Sequence, residues 1–185
     1  VFRAGYQIRN QHAVHFLTFT VIQWIDVFTR PNYAEILVDS IKFCQKNKNF
    51  KLHAWCLMFN HLHLLCSSDE PNKLSDTLRD MKQFTSKEII KAIKNNKQES
   101  RKNWMLWLFE SSGRGNPRNQ DVQFWQQSNH PIECDTQEML DSRLNYIHEN
   151  PVKSKIVQKA EDYNFCSAMD YYKGQNIGKL KIDFV

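Results

Sequence analysis

The order of elements in this chain predicts an α+β fold of the ferredoxin-like kind, βαββαβ. That fold is an antiparallel sheet with helices packed on one face, here with a further helix near the C-terminus. Three observations predict it. Trp55 to Cys66 is the most apolar, most strand-like run in the chain, and a turn at Phe59-Asn60 divides it into a hairpin. Two stretches flanking that hairpin repeat their apolar residues at helical spacing. A third amphipathic stretch ends near Asn150, because Pro151 disfavours helical backbone in the residue before it.

Taken in order, His12 to Thr20 alternates as a first strand. Pro31 suits a helix start, and Tyr33, Leu37, Ser40, Ile41 and Cys44 then share one face as far as Asn47-Lys48-Asn49. Leu52 to Met58 and His61 to about Cys66 form the hairpin strands. Pro71 and Asn72 open a second helix whose Leu74, Leu78, Met81, Phe84 and Ile89 face the sheet. Lys87, Lys91 and Lys94 make a separate row, either a solvated face or a phosphate-contacting one. Arg101 to Glu110 reads as a short helix, Ser111 to Asp121 as a basic loop, and Gln123 to Gln126 as the last strand. Asp135-Thr136-Gln137-Glu138 resembles a capping box with Asp135 as the cap. It opens the helix that buries Leu140, Leu144 and Ile147. From Lys153 to Val185 a short helix and irregular chain wrap the body. Residues 1–185 make one domain, with an insert at about 95–121.

Five scattered cysteines without a Cys-x-x-Cys pair argue against a disulfide framework and a zinc ribbon. No apolar run approaches the roughly 20 residues that span a bilayer, and Val1 to Tyr6 lacks the apolar stretch of a signal peptide. A reduced, cytoplasmic protein is the expectation. The net charge of +5 permits nucleic-acid binding without requiring it.

The chemistry-bearing residues sit in two places. His61 and His63 lie two residues apart on a strand, so both imidazoles face one way, at a spacing that can converge on one metal ion. Taken alone, two half-buried, hydrogen-bonded histidines explain the pair as well. On the last helix Tyr146, Asn150, Arg143 and Met139 fall together, away from the core stripe. A tyrosine at the rim of the core and a helix-capping Asn150 would look the same. Together, a histidine pair, a tyrosine and a polar ligand one turn later are the parts of a metal-assisted phosphoryl transfer with a phenol nucleophile.

Met58 to Leu65 and Tyr146 to Lys153 resemble the two signature blocks of the REP-associated tyrosine transposases, single-tyrosine HUH transposases of insertion sequences that move as single-stranded DNA. Phe124-Trp125-Gln126 and Glu161 to Ser167 are similar to further landmarks of that family. The resemblance implies His61 and His63 as metal ligands, Asn150 as the third, and Tyr146 as the nucleophile that takes a 5′-phosphate. It implies Mg²⁺ or Mn²⁺ as cofactor, single-stranded or hairpin DNA as partner, and a bacterial, nucleoid-associated protein. A homodimer is left open, and with it whether Tyr146 completes its own subunit's site or a partner's. Arg143, Lys153, Lys155, Arg114, Arg118, Lys87 and Lys91 are the DNA-contact candidates. Three departures stand out: Phe59 where Pro is usual, Lys155 where Gly often follows, and a longer 95–121 segment. The functional expectation is a single-stranded DNA endonuclease and strand transferase. A non-catalytic hairpin-binding relic is the alternative, and a hydrolase of small phosphate esters a third reading.

Overall fold

The computed structural model describes residues 7–114 and 121–185. Its centre is an antiparallel sheet of β1 (His15–Thr20), β2 (Phe50–Leu57), β3 (His61–Ser68) and β4 (Ile132–Glu133), in the order β2-β3-β1-β4. Helices α1 (Pro31–Asn47), α2 (Leu74–Asn95) and α3 (Lys102–Arg114) follow in the chain, then α4 (Gln137–Lys153) and α5 (Ala168–Lys173).

Both faces of the sheet are covered, which explains why the hairpin is so apolar. Leu17, Phe19, Leu62 and Leu64 pack with α1, α2 and α3 on one side. Phe16, Ala54, Cys56 and Leu65 pack with Ile147 of α4 on the other. Strands buried on both faces lose the polar alternation of a half-exposed sheet. A register shift between Leu52 and Ala54 puts Leu52 and Trp55 in the same layer, and the bulged His53 bonds Ser67 Oγ and the Asp183 carbonyl. The tail wraps as expected: it covers the β2 edge through Leu57 N–H to Phe165 O, Ser167 N–H to Trp55 O and Asp183 N–H to Leu52 O.

Five local expectations are corrected. Residues 123–126 form no strand; Trp125 makes one bridge to Val21, and β4 pairs with His15 and Phe16 further along. The edge is held instead by Lys82, whose Nζ donates to the Gln126 carbonyl and to Asn129 Oδ1. Phe84 is exposed, because it sits one residue off the stripe; Thr85 takes that place and accepts from Trp125 Nε1 at 3.0 Å. The cap of α4 is Thr136, not Asp135, its hydroxyl accepting from Met139 N–H at 3.2 Å. And α4 continues through Pro151 to Lys153, for Pro151 lies in the last turn and is buried on the sheet. Helix α3 also runs four residues past Glu110, into the expected loop; residues 115–120, including Arg118, lie outside the described residues.

Candidate active site

Register brings the site together. His63 pairs with Thr18 of β1 and Cys56 of β2, and His61 with Thr20, so both imidazoles rise from the face that α4 covers. Their ring centroids are 4.7 Å apart. The His63 Nδ1 is 2.8 Å from Thr18 Oγ1. When that nitrogen donates to the hydroxyl, Nε2 presents a lone pair, and among the described residues this buried atom has no hydrogen-bond partner. Burial, then repulsion from His61, push the His63 pKa down to about 3, with the Asn150 side chain acting the other way. The imidazole is neutral at neutral pH, the form that binds metal.

His61 is fixed through a chain of amides. Its Nδ1 is 2.7 Å from Asn60 Oδ1, while Asn60 Nδ2 donates to Asp26 Oδ1 at 2.7 Å and to the Trp24 carbonyl at 3.2 Å. With its NH₂ engaged on two acceptors, Asn60 offers its oxygen to His61. Nδ1 then carries the proton, and Nε2 is free to bind an ion.

Helix α4 supplies the phenol. The Tyr146 ring lies 5.2 Å from that of His63 and 5.7 Å from Phe16, edge-on to both, and Phe16 in turn stacks on His63. Tyr146 is 41% exposed, so the residue is not sealed in packing. Asn150 Nδ2 donates to the Tyr146 carbonyl at 2.8 Å, leaving Oδ1 as the atom available to a cation. Lys153 Nζ sits 6.0 Å from the Tyr146 ring centre and the Arg143 guanidinium 5.1 Å from that of Phe16. The four residues His61, His63, Tyr146 and Asn150 are thus assembled within one chain. Among the described residues no group of three or more His, Cys, Asp and Glu could hold a metal, so an ion here would have to rest on two imidazoles and an amide. A His63 Nε2 that is unpaired among the described residues, with the His61 ring and a carboxamide oxygen beside it, fits a divalent cation whose remaining positions are left to water and phosphate.

The other candidates scatter. Lys155 is exposed just beyond α4. Arg114 is exposed at the end of α3, 3.9 Å from Glu110. Lys87 and Lys91 belong to α2, on the opposite side of the sheet, where with Lys82, Lys94, Gln123 and Gln126 they line a groove of about 1770 Å³. His148 points away from the site and bonds Ser167 Oγ, and all five cysteines are buried. Sequence reading missed Thr18, Asn60, Asp26 and Trp24. Asn60 lay in plain sight beside His61; the others depend on which strands and loops become neighbours.

A covered three-layer sheet with paired histidines and a helix-borne phenol at one end defines an α+β class of protein. Within it, the chain belongs to the IS200-like transposase family, whose model matches residues 9–110. A solved structure described as a REP-associated tyrosine transposase bound to a REP hairpin shares the fold. The TM-score is 0.66 at 16% identity, over 97% of this chain and 92% of that one. No curated protein matches the chain. No helix among the described residues is long and apolar enough to cross a membrane.

Proposed function

We propose that this protein nicks and rejoins single-stranded DNA beside a hairpin, through a 5′-phosphotyrosine on Tyr146. One observation carries the reading: the exposed phenol lies against an imidazole whose buried Nε2 is unengaged among the described residues. Membership of the transposase family supports it, as does the fold shared with a hairpin-bound relative.

In this reading Tyr146 Oη attacks phosphorus, the Oη–P bond forms, and the P–O3′ bond breaks. The phenol proton leaves to solvent and the departing oxygen becomes a free 3′-hydroxyl. Attack by a 3′-hydroxyl on the phosphotyrosine reverses the step and joins strands. Mg²⁺ or Mn²⁺ held by His61, His63 and Asn150 would supply a Lewis acid for the phosphodiester oxygen. Phe16 and His63 orient the phenol ring, and Asn150 holds the backbone at its root. Lys153 puts positive charge beside the phenol ring and Arg143 beside its neighbour Phe16, where a phosphate would lie. The nearness of phenol and imidazole within one chain supports a site that works in cis. Lys155, exposed just beyond α4, and Arg114, exposed at the end of α3, are further candidates for phosphate contact. Lys87, Lys91 and Lys94 contact DNA phosphates in the α2 groove, across the sheet from the cut.

The test is adduct formation with an oligonucleotide carrying a hairpin and a single-stranded flank, plus Mg²⁺ or Mn²⁺. Wild type should give a denaturation-resistant protein–DNA band, and Tyr146→Phe should give none while still binding the hairpin. An equal band from Tyr146→Phe rejects the nucleophile. Hairpin binding with no cleavage by wild type favours the non-catalytic relic.

A further inference from the structure

We propose that Trp24 is a stacking platform for an unpaired nucleobase adjoining the phosphate that is cut. The inference rests on the single-strand reading above, but the residue belongs to a loop that reading does not use.

Residues 21–30 join β1 to α1, and their apolar side chains are buried with one exception. Val21, Ile22, Ile25, Val27 and Phe28 are all in the core, whereas Trp24 is 59% exposed. Its indole centroid is 5.8 Å from the His61 ring, so the exposed surface adjoins the candidate metal ligands. The backbone is held in a conformation that side chains rarely adopt: Gln23 and Trp24 both have φ of 53°, in the left-handed region. Two consecutive residues with Cβ atoms stay there only where surroundings over-determine them. Here they do. Trp24 N–H bonds the Val21 carbonyl at 3.1 Å, and the Trp24 carbonyl accepts from Asn60 Nδ2. Val21 N–H to Asn60 O and Phe28 N–H to Phe59 O rivet the loop to the β2–β3 turn. The strain turns the largest side chain of the segment outward beside the site.

An outward, rigidly mounted indole beside a phosphate-binding centre suits one kind of partner. A nucleotide carries its base one sugar away from its phosphate, so a phosphate at His61 and His63 brings a base within reach of Trp24. Every base has a π-face, so stacking fixes the strand without demanding a sequence. A paired base has its faces covered by neighbours. The platform therefore selects unpaired DNA.

The experiment uses the full chain carrying Tyr146→Phe, so that DNA stays uncut, with Trp24, Trp24→Phe or Trp24→Ala. Binding is measured for a hairpin oligonucleotide with a single-stranded flank, and for a set with one abasic site at each flank position. Trp24→Ala should weaken binding of the intact strand about 5- to 100-fold; Trp24→Phe, which keeps a π-face, should lose much less. One abasic position should cost the Trp24 protein a similar factor and cost the Trp24→Ala protein nothing further. Indole quenching on DNA addition, lost in Trp24→Phe, gives a readout that does not need the alanine variant to fold. Equal binding by all three proteins, or abasic and alanine penalties that add at every position, overturns the proposal. So does a parallel loss of Mn²⁺ affinity in Trp24→Ala, which would make the indole a support for His61. Failure of the parent protein to bind any single-stranded flank rejects instead the reading on which the proposal rests.

Discussion

Thr18 shows how much one hydroxyl controls at the candidate site. When it accepts from His63 Nδ1, the other imidazole nitrogen is left for a cation. Thr18→Val keeps the shape and removes the acceptor. The expected outcome is a fall of about 10- to 100-fold in Mn²⁺ affinity, the usual effect of losing such a partner. Titration of the metal into the Tyr146→Phe protein checks it, and unchanged affinity would show that His63 does not ligate. Asn60→Ala should act in the same direction through His61, since it removes the oxygen that orients that ring.

Helix α4 carries both the site and its own ends. Past the cap Ser154, Lys155 N–H bonds the Val152 carbonyl and Ile156 N–H the Pro151 carbonyl, with Lys155 at φ 57°. This is a Schellman ending with lysine in the left-handed position that glycine occupies at least cost. Lys155→Gly should raise stability by about 1 kcal/mol, read from the urea midpoint, and a lowered midpoint would contradict the backbone argument. The departure noted at Lys155 thus trades backbone ease for an exposed positive charge just beyond α4. At the other end, Thr136→Ala should cost about 1 kcal/mol through loss of the cap to Met139. The tail is less forgiving: a Cβ on Gly178 would sit 2.6 Å from Asp170 Oδ2.

Across the molecule, the charged state of buried histidines sets the acid limit. Burial lowers the His63 pKa to about 3 and that of His148 to about 4, with His53 and His61 also lowered, mainly by burial. All lie below the unfolded value, so the unfolded chain binds more protons once pH falls under the ordinary histidine pKa. Stability is complete above that value and is lost on acidification down to the folded pKa. His63 and His148 together should remove roughly 3 kcal/mol per pH unit in that window. Urea unfolding of metal-free protein at neutral and mildly acidic pH checks this, and a constant midpoint would mean the rings are solvated. The groove on the α2 side makes a second prediction. Replacing Lys87, Lys91 or Lys94 by alanine should shallow the log–log salt dependence of hairpin binding by about 1 for each phosphate that the lysine had neutralised.

The chain's own order of residues determined whatever depends on near neighbours. The two-residue period of a strand aligned His61 with His63, and the helical period aligned Tyr146 with Asn150. The buried stripe of α1 was legible for the same reason. Where local periodicity was ambiguous, packing chose: Thr85 over Phe84, and a riveted edge over a strand at 123–126. Tertiary structure alone decided that Thr18 meets His63, that α4 lies on the histidine side while α2 lies on the other, and that a strained loop delivers Trp24 to His61. Those are contacts between segments far apart in the chain. They follow from strand register and from which faces must be covered, neither of which leaves a mark on the spacing of residues within a single element.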